Sequence, residues 1–386
     1  MNRRKIAVVT GTRADYGLLR WLIVQLKNSP EFEVEIIATG THFSAEFGET
    51  WRQIVADGFE IDHKVEILSP DDSDYGVAQQ TATALSKFAT VFEESKPDLL
   101  VLLGDRYEAF AAASAAFLMR IPIAHIAGGE VTEGALDDSL RHAITKFSNL
   151  HFVAAEEYLS RVIQLGEVPE SVFNVGAIGL DNFAELQLFS IEELCTFLNF
   201  TVEEKRFILV TLHPETASEE GVEEYARVLF EALDQFPDYK VVLTGANADA
   251  GGRKLNSLLR TYAENSSNRV HFVSSLGQVG YLSAMKLSAV ILGNSSSGIL
   301  EAPSAGTPTV NIGDRQKGRL RAASVIDVEL ETTSLVASIN TALTPDFQKL
   351  SSDKQSPFGS PGASETICSV ISKADFNFGP KSFFDN

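Results

Sequence analysis

Two kinds of hydrophobic pattern alternate over almost the whole chain. Short runs rich in Val, Ile and Leu read as strands: KIAVVTG (5–11), FEVEIIATG (32–40), DLLVLLGD (98–105), PIAHIAGG (122–129), LHFVAA (150–155) and VFNVGAIG (172–179). A second series follows, with RFILVTLH (206–213), KVVLTG (240–245), RVHFVSS (269–275), AVILGN (289–294) and TPTVNIG (307–313). Between them lie segments such as LLRWLIVQLKNS (18–29) and EEYARVLFEALDQF (223–236), whose apolar residues recur at spacings of three and four, as one helix face requires. The strands are nearly continuous in apolar residues, as strands covered on both faces must be. The pattern therefore predicts an α/β protein with parallel sheets flanked by helices. Because it runs twice, it predicts two Rossmann-like doubly wound parallel-sheet domains facing each other across a cleft. In such sheets ligands bind outside the carboxyl ends of the strands.

The first series closes at GAIGLDN (176–182), and the polar-rich stretch 183–205 leads into the second. This places an N-terminal domain at 1–180 and a C-terminal domain at 181–365. Residues 351–364, SSDKQSPFGSPGAS, are rich in Ser, Pro and Gly and read as loop. SETICSVISKADF (364–376) predicts a last helix, so 366–386 is a C-terminal helix and tail whose final NFGPKSFFDN reads as a poorly ordered end.

A chain of 386 residues suffices for two domains, and 44% hydrophobic with 22% charged residues is ordinary for a soluble globular protein. No run approaches the roughly 20 apolar residues of a membrane span. The basic start MNRRK is followed by IAVV, but TGTRAD interrupts that run too soon for a secretory signal core. The chain thus reads as cytoplasmic, with no membrane partner. A net charge of −20 argues against nucleic acid as a partner, because affinity for phosphate backbones rests on Lys and Arg. It does not exclude one phosphorylated small molecule in a locally basic pocket. Cys195 and Cys368 stand far apart and in no motif, which argues against a disulfide framework or a cysteine metal site. Both read as small buried hydrophobes.

The glycines after the first strand do not form GxGxxG, and no P-loop occurs, so a dinucleotide cofactor lacks support. The strand ends instead carry a series of polar groups. GTRADYG (11–17) offers Arg13 and Asp15, TGTHFS (39–44) offers His42, and GDRYE (104–108) offers Asp105 and Arg106. HIAGGEVTEGALDDSLRH (125–142) offers His125, Glu130, Asp137, Asp138, Arg141 and His142. TLHPET (211–216) offers His213, and GNSSSG (293–298) and GDRQKGR (313–319) complete the set. Each residue alone has an ordinary reading. An Asp or Ser after a strand caps a helix, Asp137 and Asp138 suit a helix first turn, and His125 fits a core as well as a site. His151 reads as structural and His63 as surface. The gathering of so many polar groups at strand ends favours a ligand site. HExxH is absent, and no His or Asp pair has a recognised ligand spacing, so no metal is expected.

Taken together, GTRADYG, GDRYEA, HIAGGEVTEGALDDSLRHAITK, TLHP, GNSSSGILEAPSAGTPTVNIGDRQKGR and PFGSPGAS resemble the hydrolysing UDP-N-acetylglucosamine 2-epimerases, the NeuC-type enzymes of bacterial sialic acid synthesis, over roughly residues 4–370. GTRADYG stands where the related non-hydrolysing epimerases typically begin GTRPE. The resemblance implies a GT-B fold, no cofactor, and a homodimer or homotetramer. It implies that UDP-N-acetylglucosamine loses UDP by anti elimination across C1 and C2 to a glycal, and that water then adds to give free N-acetylmannosamine.

The resemblance also implies roles. Asp105, Asp137, His213 and Glu130 would be catalytic. Arg13, Asp15, His42, Arg106, His271 and Arg315 would contact the UDP-sugar. Gly293, Asn294, Ser295, Ser296 and Gly298 would form the pyrophosphate seat, with Glu301 accepting from the ribose hydroxyls. The chemistry suits these residue types. Proton removal at C2 needs a positioned base. Guanidinium forks, hydroxyls and a helix N-terminus can stabilise a departing pyrophosphate without a metal.

One position departs from the pattern: where the animal-type enzymes carry a catalytic glutamate two residues after the histidine of the HI(E)GGE motif, this chain has Ala127. Either Glu130 takes that role, or Asp105, Asp137 and His213 share the work. Three other readings fit the same motifs. They are the same chemistry on UDP-2,4-diacetamido-2,4,6-trideoxyglucose for legionaminic acid, a GT-B glycosyltransferase, and a non-catalytic nucleotide-sugar sensor.

Overall fold

In the computed structural model, which describes residues 3–46, 48–71, 73–131, 136–214, 219–246 and 251–385, the alternating pattern closes into two separate sheets. The first contains β1 (Arg4–Thr10), β2 (Phe32–Thr39), β3 (His63–Val65), β4 (Leu99–Leu103), β5 (Ile123–Ile126), β6 (Leu150–Val153) and β7 (Val172–Asn174), in the order β3-β2-β1-β4-β5-β6-β7. The second contains β8 (Phe207–Thr211), β9 (Lys240–Thr244), β10 (Val270–Val273), β11 (Val290–Gly293), β12 (Thr309–Ile312) and β13 (Val325–Val328), in the order β10-β9-β8-β11-β12-β13. Their pairings are parallel. Two edge strands escape the hydrophobic pattern: β3 has three residues, and β13, VIDV, is half-exposed with an acid inside it. His63 therefore sits in an edge strand, its Nε2 3.6 Å from Glu35, instead of loose on the surface.

The alternation of side chains along a strand explains the layers. Ile6 and Val8 of β1 and Leu99 and Val101 of β4 face one side, packed with Leu19, Leu22, Ile23 and Leu26 of helix Arg13–Asn28. Ala7, Val9, Leu100 and Leu102 face the other, packed with Phe88 and Phe92 of helix Asp74–Ser95 and with alanines of helix Tyr107–Leu118. Those alanines are buried, and small side chains let the two helices pack side by side. Each fully buried Leu, Ile or Phe contributes roughly 1.5–3 kcal/mol. Both faces must therefore be apolar, and that is why the strands read as unbroken hydrophobic runs.

The chain forms two compact units, Met1–Asn182 with Phe358–Asn386, and Phe183–Pro357. The end of the chain thus differs from the sequence reading, which carried the second domain to 365 and set 366–386 apart. From Phe358 the chain returns to the first unit. The loop PFGSPGAS is its docking turn: Ala177 N donates to the Phe358 carbonyl at 2.9 Å. The Asp181 carboxylate accepts from the backbone N–H groups of Gly362 (2.6 Å), Ala363 (3.0 Å) and Ser364 (2.7 Å), capping helix Ala363–Lys373 from outside it. Ala363, Ile367 and Ile371 then enter the core beside Leu19 and Leu22. The final residues are tied down as well, since Phe376 and Phe378 pack on the same core and Phe384 N donates to the Gly166 carbonyl at 3.0 Å. Cys195 and Cys368 are free and half-buried, not fully buried as expected. Among the described residues no helix is long and apolar enough to cross a membrane.

Candidate active site

In each sheet the strand order reverses once beside the first strand of its series, between β1 and β4 and between β8 and β11. Ligands bind at such switch points in open α/β sheets. The first switch point carries GTRADYG and GDRYE, and the second carries TLHP and GNSSSG. Strand pairing has brought motifs distant in the chain to adjacent strand ends.

In the first unit, Thr12 caps helix Arg13–Asn28 by accepting from Asp15 N at 3.2 Å. The Asp15 carboxylate accepts from Gly11 N at 3.2 Å, and burial raises its pKa. Asp15 thus shapes the loop, while Arg13 stands exposed at the first helical position. His42 is buried between two hydroxyls, with Nε2 3.0 Å from Thr10 Oγ1 and Nδ1 2.9 Å from Thr50 Oγ1. Burial pushes it down to about 4, so the ring is neutral at physiological pH. Arg106 forks onto Glu108, with Nη2 2.9 Å from Oε1 and Nε 3.2 Å from Oε2. Glu108 is 2% exposed, so this guanidinium offsets the cost of burying it.

Arg141 joins the acidic groups. It is buried on helix Leu136–Phe147 and donates to Asp105, to Asp138 Oδ1 at 3.0 Å and to the Glu130 carbonyl at 2.7 Å. Partial desolvation, and then the negative charge of Asp105, raises the pKa of the Asp137 carboxyl. Three carboxylates, Asp105, Asp137 and Asp138, thus share one guanidinium neighbourhood, and Asp137 is shifted toward holding a proton.

His125 is fully buried, with Nε2 2.8 Å from the Gly104 carbonyl and Nδ1 3.2 Å from Thr145 Oγ1. A carbonyl only accepts, so Nε2 carries the proton and Nδ1 accepts from the threonine. Burial pushes the ring down to about 3 and keeps it neutral. His125 therefore acts on the loop, supporting the residue before Asp105. Ala127 adopts the left-handed region at φ 66°, a strained conformation at the end of β5.

In the second unit, Asn294 is fully buried and ties β11 to β8. Its Oδ1 accepts from His213 N at 2.7 Å, and its Nδ2 donates to the His213 carbonyl at 2.8 Å. The Asn294 carbonyl accepts from Arg315 Nη1 (3.2 Å) and Gln316 Nε2 (2.9 Å). The serines form a relay: Ser295 Oγ lies 2.9 Å from Ser297 Oγ, which lies 2.7 Å from Tyr281 OH, which lies 3.1 Å from Thr211 Oγ1. Gly293 is required by packing. At φ 144° an added Cβ would lie 1.9 Å from the Thr211 carbonyl oxygen, and at Gly298 it would lie 2.9 Å from Thr309 Cγ2. The helix behind the serines is short. It covers only Ser297–Leu300, breaks at Glu301, and resumes at Ala302–Ala305 with Pro303 in its first turn. Glu301 sits at that break, its carboxyl pushed up to about 7 by burial. Among the described residues, no group of three or more His, Cys, Asp or Glu side chains is placed to hold a metal ion.

Comparison with known proteins identifies the family and the fold. A profile of the UDP-N-acetylglucosamine 2-epimerase family matches residues 24–372. The chain belongs to that family. It is 41% identical over 86% of its length, and 85% of the relative's, to a GDP/UDP-N,N'-diacetylbacillosamine 2-epimerase (hydrolyzing) of Campylobacter jejuni. It is 38% identical to polysialic acid biosynthesis protein P7 of Escherichia coli, over 92% of this chain and 90% of that one. The crystal structure of the Neisseria meningitidis UDP-GlcNAc 2-epimerase bound to UDP-GlcNAc superimposes with a TM-score of 0.78 at 22% identity, covering 96% of this chain and all (100%) of that one. That likeness establishes the GT-B-like fold. With its relatives the chain groups with the hydrolysing 2-epimerases of nucleotide sugars.

Within this epimerase family member, one expected contact falls away from the others. His271 lies inside the edge strand β10, two strands from β8, with its ring stacked on Phe200 at 5.0 Å. Its position in mid-strand directs it to packing. Glu130 enters the acid cluster through its carbonyl. Glu108, Tyr281, Thr211 and Gln316 were missed as site-building residues. Glu108 had a signal, two residues after Arg106 in GDRYE. Tyr281 had none, since only the tertiary structure brings helix Gly277–Leu287 to the serine loop.

Proposed function

We propose that the chain hydrolyses and epimerises a UDP-2-acetamido sugar. A base removes the proton on C2, and the C1–O bond breaks with its electron pair leaving on UDP, which forms a glycal. Water then adds: its oxygen bonds C1 and a proton reaches C2 on the opposite face, releasing the 2-epimeric free sugar and UDP. The observation that carries this reading is the pair Asp105 and Asp137 around Arg141, with Asp137 shifted toward its acid form by desolvation and by Asp105. A carboxyl shifted toward its protonated form suits the acid role in such chemistry. Asp105, ion-paired with Arg141, is assigned as base and Asp137 as acid. His213, Ser295, Ser296, Arg315 and Glu301 are assigned to the UDP moiety and its departure, and Arg13, Arg106 and His42 to the loops around the sugar.

The substrate proposed first is UDP-N-acetylglucosamine, giving N-acetylmannosamine for sialic acid synthesis; the relative named for polysialic acid biosynthesis favours it. A second reading takes the diacetamido sugar, and relatives of 41% and 35% identity named as N,N'-diacetylbacillosamine 2-epimerases favour that one. A nucleotide-sugar substrate fits a cytoplasmic enzyme, and a homodimer or homotetramer is proposed with the family. Proton NMR in D2O with EDTA tests the reaction on both sugars. Free 2-epimer deuterated at C2, together with UDP, is expected from one of them. Both sugars surviving intact while UDP binds would end this reading.

A further inference from the structure

The C-terminal tail reaches the far end of the helix that carries Asp137, Asp138 and Arg141. Lys381 Nζ donates to the carbonyls of Thr145 (3.2 Å), Lys146 (2.9 Å) and Ser148 (2.5 Å), at the C-terminal end of helix Leu136–Phe147. The last carbonyls of a helix have no intrahelical donor and form the negative end of its dipole, so a cation there both satisfies and stabilises them. The same ammonium lies 2.5 Å from Glu167 Oε2. Glu167 is 1% exposed and also receives His151 Nε2 at 3.0 Å and Lys146 Nζ at 2.6 Å. Burial opposes ionisation of Glu167, but these three hydrogen bonds outweigh it and hold its carboxyl down at about 2. The backbone bond from Phe384 N to Gly166 pins the tail beyond the lysine.

Contacts run from this end of the helix to Asp105 by two routes. Thr145, whose carbonyl Lys381 caps, donates its hydroxyl to His125 Nδ1, and His125 Nε2 donates to the carbonyl of Gly104, the residue before Asp105. One helical turn before Thr145, Arg141 holds the Asp105 carboxylate directly. One helix therefore reaches the Asp105 loop twice, directly through Arg141 and through His125 from Thr145, and the tail fastens it at its C-terminal end.

We propose that Lys381 is a positioning residue for the acid cluster, and that the tail is a strap setting the placement of helix Leu136–Phe147. The strap holds the Asp105–Arg141 pair and the His125–Gly104 bond in register with each other. This assignment rests on the catalytic reading above. Removing the ammonium leaves the helix carbonyls without their donor and takes one cation from the buried Glu167. The helix end is then free to shift, and the shift reaches Asp105.

The full-length protein tests this with Lys381→Met, which keeps the aliphatic stem, and Lys381→Arg, which keeps the charge. Lys381→Met is expected to lower kcat about 10- to 100-fold, the scale of a small misplacement at a reacting centre, with UDP affinity within about twofold of the unaltered protein. Lys381→Arg is expected to recover most of that loss. Unchanged kcat in folded Lys381→Met protein would overturn the proposal, as would kcat and UDP affinity falling together. Should Lys381→Met not fold, Lys381→Gln is read by the same criteria. If the unaltered protein turns over no UDP-sugar, the catalytic reading fails by itself, and the strap is read from amide exchange. Loss of Lys381 should then speed exchange in 99–106 and 136–147 while leaving β8 unchanged, and equal exchange there would overturn it.

Discussion

Asn294 holds His213 by both of its backbone polar atoms, accepting from the N–H at 2.7 Å and donating to the carbonyl at 2.8 Å. This pair fastens the two strand ends of the second switch point to each other. Asn294→Asp keeps the acceptor but puts a carboxylate oxygen against the buried carbonyl. The expected loss is about 1–3 kcal/mol of stability, the cost of an unsatisfied buried group, together with weaker UDP binding. Denaturant unfolding and a UDP titration on the same protein check it; unchanged values in both would mean that the tie is idle.

Asp105→Asn removes one of the two described carboxylate partners of Arg141 while preserving shape. Turnover of the UDP-sugar is expected to fall by about 100-fold or more, the contribution of a positioned acid or base. UDP affinity should stay within about twofold, because its assigned groups lie in the second unit. Retained turnover would reject Asp105 as the base.

Within the three-serine loop, Ser295 and Ser297 hydrogen-bond each other and Ser297 continues to Tyr281, whereas Ser296 lies outside that relay. Of the two serines assigned to the UDP moiety, Ser296 is therefore the one whose loss leaves that relay intact. Ser296→Ala should weaken UDP binding by roughly 1–3 kcal/mol, the range for a lost hydrogen bond to a charged group. Isothermal titration reads this directly, and undiminished affinity would remove the phosphate role from this residue.

The Glu301 carboxyl, pushed up to about 7, is mostly protonated in the free protein at mildly acidic pH. Its raised folded-state pKa contributes stability that is full below the usual value of 4.5 and is lost as pH rises through about 7. A ligand whose ribose hydroxyls donate to the carboxylate favours the ionised form. Binding near pH 6 should therefore release a proton, up to about one per site, and release should vanish by about pH 8. Calorimetry of Asp105→Asn with UDP-N-acetylglucosamine in buffers of different ionisation enthalpy measures the release. Glu301→Gln should abolish it, and a buffer-independent enthalpy would place the ribose elsewhere.

The β–α alternation was legible because burial on both faces forces each strand to be apolar along its length, and burial on one face gives each helix its spacing. The nine interior strands follow from that local rule; the edge strands β7 and β10 are only partly buried yet lie in apolar runs, whereas the edge strands β3 and β13 bury too little to show the pattern. The motifs at strand ends, and with them the family, were readable for a related reason: loops that cannot be apolar display their chemistry openly. Strand order decided the rest. It placed GTRADYG beside GDRYE and TLHP beside GNSSSG, joined Arg141 to Asp105, joined Tyr281 to Ser297, and left His271 in mid-strand against Phe200. The docking of 358–386 on the first unit likewise depends on Asp181 and a core formed far earlier in the chain. Periodicity reports how much of a residue is covered, but not by what, because the covering partner is chosen by packing between segments that are remote in sequence.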